Sequence, residues 1–210
     1  MAQPDNARIA QVFDAMADRY DSQIGVVERR LLGRPRQWAV EQARGRVLDI
    51  AVGTGLNLPL YGPDVTDVLG VDLSEGLLRL ARRRIEEYGL DHCAVVRGDV
   101  QSLSVPDTSV DTVLSTLTFC TIPDPESAAR EAMRVLVPGG KVVLAEHGPS
   151  TSRAVTAAMR VLEPVSIRFG ADHLTRDPVV YLQRAGFVID EVRRTGFAGV
   201  GIRVVAHSPS

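Results

Sequence analysis

The sequence predicts an α/β fold: a seven-stranded, mostly parallel sheet with one antiparallel strand, helices on both faces and a helical lid at the N-terminus. Three observations carry this. Short apolar runs alternate with amphipathic segments from residue 46 to 147, the pattern of βαβ units. A glycine turn, Gly53-Thr54-Gly55, follows the first of those runs, at the strand end where open α/β sheets hold ligands. The last two strand candidates are joined only by Arg194 to Gly201, too short for a parallel crossover, so the final strand runs antiparallel.

Each element has its own signal. Asn6 stands as the cap of a helix whose Ile9, Val12, Phe13 and Met16 share one face. A second helix is expected over Ser22 to Leu32 and a third over Pro35 to Ala43, with Gly33 as stop and Pro35 as restart. Strands follow at Arg46 to Ala51 and Val65 to Val71. Ser74 caps a helix that Gly89 ends, and Cys93 to Arg97 and Val110 to Thr116 are the next two strands. Pro125 opens a helix carrying Ala128, Ala129, Met133 and Leu136, ahead of a strand over Lys141 to Glu146. Helices over Thr151 to Leu162 and Arg176 to Ala185, then strands near Val188 to Arg193 and Ile202 to Ala206, complete the chain. The expected division is a lid, residues 1–45, and one compact unit, residues 46–210.

Composition narrows the function. The 24 basic and 26 acidic residues balance to a net charge of −2, so no nucleic-acid partner is expected. Lys141 is the sole lysine, which makes every other fixed cation an arginine suited to planar, bidentate contacts. Two cysteines, Cys93 and Cys120, are too few for a disulfide framework or a four-cysteine zinc site, and no metal is expected. No apolar run is long enough to cross a bilayer, and Met1 to Ala10 lack the apolar core of a secretory signal. A cytoplasmic protein is the expectation.

The chemistry concentrates around the glycine turn. A dinucleotide fingerprint beginning at Gly53 requires glycine at position 58, where this chain has Leu58, and no phosphate-cradling Gly-x-x-x-x-Gly-Lys-Ser/Thr occurs. Asp49, at the strand end before the turn, opposes a phosphate and favours a cationic ligand group. The turn therefore suits a nucleoside without phosphates. Asp72, 23 positions on, can accept both hydroxyls of a ribose; an acid favoured at a helix N-terminus reads the same way. In Arg97-Gly98-Asp99-Val100, Asp99 and the Val100 amide can read an adenine edge, or simply form a turn.

Together these blocks resemble the class I S-adenosylmethionine-dependent methyltransferases, strongly over Arg46 to His147. The resemblance implies a Rossmann-like fold and S-adenosyl-L-methionine as cofactor. It places Asp49 and the Gly53–Gly55 turn at the methionine portion, Asp72 at the ribose, and Asp99 with Val100 at the adenine, with Ala51, Leu73 and Thr116 counted among the cofactor-binding residues. Ala51 stands where the family has its first glycine. Val12-Phe13-Asp14-x-Met16-Ala17-x-x-Tyr20-Asp21 is similar to the lid helix of the ubiquinone/menaquinone and phospholipid branch, which implies that Tyr20 closes over the cofactor; the same spacing also serves a core-facing helix. Ser115 to Pro123, Ala145-Glu146-His147 and Asp172 to Arg176 look similar to methyltransferase-like proteins acting on alkyl thiols and to phosphatidylethanolamine N-methyltransferases.

The implied reaction is an in-line displacement onto a small, largely apolar acceptor, a thiol, an amine or a quinol or phenol. His147, ending the fifth strand at the sheet's ligand edge, is the candidate general base; a histidine bonded to a backbone carbonyl is its plain alternative. His173, Glu146 and Tyr20 are reserves, and Cys120 is expected to be a buried side chain. Two other functions stay open. One is a phosphatidylethanolamine N-methyltransferase at the membrane surface, touching lipid peripherally through the N-terminal helices, where Glu28 to Arg36 is rich in arginine, though such a run also serves as a solvated face. The other is a cofactor-binding protein without turnover.

Overall fold

The apolar runs of the sequence assemble into one seven-stranded sheet of order β3-β2-β1-β4-β5-β7-β6. The structure, a computed structural model, describes residues 5–209; Met1 to Pro4 of the expected lid, and Ser210, lie outside it. The strands are β1 (Gly45–Ile50), β2 (Val65–Asp72), β3 (Cys93–Arg97), β4 (Val110–Thr116), β5 (Leu136–His147), β6 (Val188–Thr195) and β7 (Gly201–His207). Only β7 is reversed: it pairs antiparallel with both β5 and β6, as the short final connection requires. The sheet changes direction of growth between β1 and β4, and a cavity opens at the carboxyl ends of those strands, as expected of a topological switch point.

Among the described residues six α-helices surround the sheet: α1 (Asn6–Val27), α2 (Pro35–Gln42), α3 (Glu75–Tyr88), α4 (Pro125–Val135), α5 (Arg153–Gly170) and α6 (Pro178–Arg184). The central strands are buried on both faces, which is why β1 reads as a near-continuous apolar run. One core packs Leu48, Ile50, Val113, Phe119 and Leu144 on the α4 and α6 side. The other packs Ala39, Val40, Val47, Leu78 and Val143 on the α2 and α3 side.

Several boundaries differ from expectation, and Leu136, expected on the helix opened by Pro125, instead begins β5 ahead of the expected Lys141. Asp5, not Asn6, caps α1, accepting the Arg8 amide; Asn6 is drawn away by Asp99. The two expected N-terminal helices are one, because α1 runs on into a π-helical turn, Glu28–Leu32, that ends at Gly33 in the left-handed region (φ 72°). Helix α5 continues past Pro164 to Gly170, with Arg160, whose carbonyl loses its donor to the proline, an exposed residue. Helix α6 begins at Pro178 because Asp177 supplies the cap.

Candidate functional site

A cavity lies beneath α1 at the sheet's carboxyl edge. Tyr20, Ala51, Gly53, Asp72, Leu73, Asp99 and Val100 all line it, although they come from four separate stretches of chain. Gly53 has φ 59°, and a Cβ built there meets nothing closer than the Tyr20 ring at 3.9 Å, so the turn is bare toward the lid. Its amide donates to Asp72 Oδ2 at 2.9 Å, and the Ser74 amide donates to Oδ1 at 2.8 Å. Two backbone donors thus aim a carboxylate into the cavity. Burial, working against those hydrogen bonds, pushes the Asp72 pKa up to about 6.

Asp99 is held from two sides. Its Oδ1 accepts the Gln101 amide and side chain, and its Oδ2 accepts Asn6 Nδ2 at 2.6 Å. That last contact is one of three that clamp α1 over the cavity. Asp14 accepts the Ser74 hydroxyl and the Gly76 amide at the start of α3. Asp21 accepts the Thr54 hydroxyl and forms an ion pair with Arg84 at 2.7 Å. Ile9, Phe13 and Tyr20 form the roof, with Phe13 and Tyr20 edge to face at 6.2 Å. Burial raises the Tyr20 phenol to about 12, so it stays protonated at neutral pH.

Asp49, Gly55 and Thr116 do not line this cavity. Gly55 has φ 77° and a Cβ there would come within 2.8 Å of Leu58 and 3.2 Å of Ala81, so its glycine serves close packing of turn and helix. Thr116 accepts from Arg36 at 2.8 Å and from Asn57 at 3.2 Å. Asp49 Oδ2 accepts from Asn57 and Tyr61, both at 2.9 Å, while Oδ1 has no partner among the described residues. Burial raises Asp49 to about 6. Arg36, expected within an exposed basic run, is buried in this network and paired with Glu28 at 2.6 Å. Ala51 has φ 52°, a conformation that its missing glycine would adopt freely.

A second cleft, of about 480 Å³, adjoins the first. Phe13, Tyr20, Leu117 and Thr121 line both. Leu117 is in the left-handed region (φ 59°), a strained backbone at the join of the two. The outer cleft is apolar, between Ile24 and Val27 on one side and Val165 and Phe169 on the other. Its polar wall is His147, Asp172 and Cys120, with His147 Nε2 3.1 Å from Asp172 Oδ1. Burial alone would lower the imidazole, but the Asp172 hydrogen bond and charge, with Glu146 and a backbone bond to Leu174, carry it above the usual histidine value. Burial pushes the Cys120 thiol well up, so it is a protonated neighbour of Asp172 rather than a thiolate. Donor atoms of these three lie within 4.8 Å of one another, near enough to share a soft divalent ion. The His147–Asp172 bond already occupies the imidazole nitrogen nearest the carboxylate.

The reserve candidates are elsewhere. Glu146 is fully buried and accepts from the Ser115 hydroxyl and the Thr118 and Phe119 amides, tying the ends of β4 and β5 together. His173 pairs with Glu163 of α5 at 3.7 Å. Sequence reasoning did not single out Asp172 as a site residue; 25 positions separate it from His147, and no helix or strand period links them.

Residues 48–144 match the protein family described as "Methyltransferase domain". The chain is 41% identical over 130 residues to a phosphatidylethanolamine N-methyltransferase of Cereibacter sphaeroides, covering 61% of this chain and 63% of that protein, under two thirds of its length. It is 30% identical over 223 residues to a ubiquinone/menaquinone biosynthesis C-methyltransferase of Geobacter sulfurreducens, covering 95% of this chain and 82% of the relative. The chain belongs to the S-adenosylmethionine-dependent methyltransferases. Among solved structures, the [4+2]-cyclase SpnF superposes with a TM-score of 0.80 at 17% identity, over 100% of this chain and 98% of that one, a likeness of fold alone. As a methyltransferase of this family, the enzyme uses S-adenosyl-L-methionine.

Two features of this sheet edge suit that cofactor, one in the network beside the cavity and one in the cavity wall. The unpartnered Asp49 oxygen is a buried anionic acceptor in need of a cationic or donating group. The bare face at Gly53 leaves room beside the turn for a ligand under Tyr20.

Proposed function

We propose that this methyltransferase acts on an acceptor with a protic head group, a thiol, amine or quinol hydroxyl, on a small and largely apolar body held in the outer cleft. The observation that carries this is the join of the two cavities at Phe13, Tyr20, Leu117 and Thr121, with the His147–Asp172 pair on the outer wall. In this reading Asp72 holds the ribose, Asp99 and Val100 the adenine, Gly53 and Ala51 pass close to the methionine portion, and Tyr20 roofs the cofactor. When bound, the cofactor supplies a methyl carbon on a positively charged sulfur, open to displacement by a nucleophile in line with it. The chain's own work is to exclude water with α1, to seat the acceptor's apolar body between Val27 and Phe169, and to take its proton. An ammonium or phenol gives that proton to the His147–Asp172 pair, which keeps it as an imidazolium held by the carboxylate.

The test is transfer of labelled methyl to a panel of alkyl thiol, alkyl amine and reduced demethylmenaquinone, with pH–rate profiles. Label on one of these, with an acid limb above the usual histidine pKa, is expected. Removing the carboxylate charge in Asp172→Asn lowers the imidazole pKa, so the limb moves to lower pH; His147→Gln abolishes it. Cofactor binding without label on any acceptor favours the non-catalytic reading instead.

A second reading, phosphatidylethanolamine N-methylation, is favoured by the 41% identity to an enzyme of that name. Label appearing on phosphatidylethanolamine in vesicles, and on no soluble acceptor, selects it.

A further inference from the structure

Helix α5 is 18 residues long, yet none of its residues is fully buried. Its exposed side chains are of three kinds only: alanine and proline, the larger apolar residues Val161, Leu162, Val165 and Phe169, and the arginines 153, 160 and 168. Val161 is 78% exposed and Phe169 73%, values at which water contact is nearly complete. The single acid of the helix, Glu163, is turned inward, accepting from Thr175 at 2.5 Å and pairing with His173. A solvated face would carry acids, amides or hydroxyls among the apolar residues; this one carries none.

Beyond the exposed Ser22 and Gln23, the end of α1 and the π-helical turn after it repeat the composition. Val26, Val27 and Leu31 are exposed beside Arg29, Arg30 and Arg34, while Glu28 is turned inward to Arg36. The two segments meet at the outer cleft, which Val27 and Leu32 line from one side and Val165 and Phe169 from the other. The apolar and arginine-only surface is therefore continuous with the cleft mouth.

We infer that this face docks on an anionic lipid bilayer, with α5 lying in the plane of the interface and the outer cleft opening into it. Charge decides the occupant. Arginines at the rim pair with lipid phosphates bidentately, and the apolar side chains enter the boundary between headgroups and acyl chains. A second copy of the chain fits poorly, because placing the face against itself sets arginines against arginines with no exposed acid on α5 to receive them. No helix among the described residues is long and apolar enough to cross a membrane, so α5 lies on the surface rather than spanning it. Entry of the acceptor from the bilayer through that opening rests on the proposed function; the docking itself does not.

The experiment is flotation of the full chain with vesicles of phosphatidylcholine alone and of phosphatidylcholine with phosphatidylglycerol, at low and high salt. The chain is expected to float with the phosphatidylglycerol vesicles, less with phosphatidylcholine, and less again as salt screens the arginines. Val161 and Leu162 lie outside the cleft, so the double variant Val161→Glu/Leu162→Glu keeps its cofactor titration while its partitioning falls by about 100-fold. Arg160→Glu weakens binding to phosphatidylglycerol vesicles more than to phosphatidylcholine. A wild-type chain that stays at the bottom of the gradient with anionic vesicles overturns the inference. So does a double variant that floats equally well, or a sedimentation experiment in which the same variant dissolves a dimer and no vesicle uptake is seen. Methyl transfer to a soluble thiol, measured in the same preparations without vesicles, reports on the proposed function separately.

Discussion

Replacing Asp72 by alanine removes a carboxylate that two backbone amides, those of Gly53 and Ser74, hold at 2.9 and 2.8 Å, with the side chain 8% exposed. Two ribose hydroxyls donating to such a carboxylate contribute, with some non-additivity, about 3–4 kcal/mol, so Asp72→Ala loses about 200- to 1,000-fold in cofactor affinity. The fold also weakens, since both amides lose their acceptor, at about 1–3 kcal/mol each if they stay dry. Titration calorimetry with S-adenosylhomocysteine separates the two effects when it is paired with an analogue lacking both ribose hydroxyls. The analogue should bind the wild type weakly, and the variant should no longer distinguish the two ligands. The pH dependence gives a second check. The Asp72 pKa of about 6 means that below pH 6 the free enzyme holds a proton there, which a bound ribose must expel. Affinity in the wild type therefore weakens as pH falls through 6, and in the variant that slope disappears. If the variant still prefers the intact ribose by the wild-type factor, Asp72 does not hold it and the assignment fails.

Three further outcomes follow from the same geometry. Gly55→Ala meets Leu58 at 2.8 Å in a left-handed backbone, so it should cost about 2–4 kcal/mol in thermal unfolding, whereas Gly53→Ala, with its nearest neighbour at 3.9 Å, should cost only about 1–2 and show its main loss in cofactor titration. Ala51→Gly relieves the strain at φ 52° and should stabilise the chain by about 0.5–1 kcal/mol in chemical denaturation; a loss of stability would mean that the backbone is not left-handed there. Glu146 is pushed up to about 7 by burial, so the folded chain keeps a proton that the unfolded chain releases near 4.5. Its contribution to stability is full below pH 4.5 and declines as pH rises toward 7, and Glu146→Gln should flatten that part of a Tm–pH curve.

Much of the cofactor edge was legible locally. Each strand tip delivers its site residue directly: Asp72 ends β2, and the Gly53 turn follows β1, so an apolar run and the residue after it were enough to place them. Asp49 and Thr116 also end or nearly end strands, yet they face the network of Arg36, Asn57 and Tyr61 rather than the cavity. Strand position specifies the edge of the sheet, and the packing of α2 behind it decides what a given side chain meets.

The sequence by itself determined the alternation of strands and helices, the reversed last strand and the glycine turn, because these depend on periodicity, loop length and backbone freedom within a few residues. Tertiary structure alone decided that Asn6, Asp14 and Asp21 clamp one continuous α1 over the cavity, that Asp172 meets His147, and that the described residues leave the apolar side of α5 exposed. Those contacts join residues tens of positions apart, and only the packed sheet brings them within hydrogen-bond reach or leaves a helix face open to the surroundings.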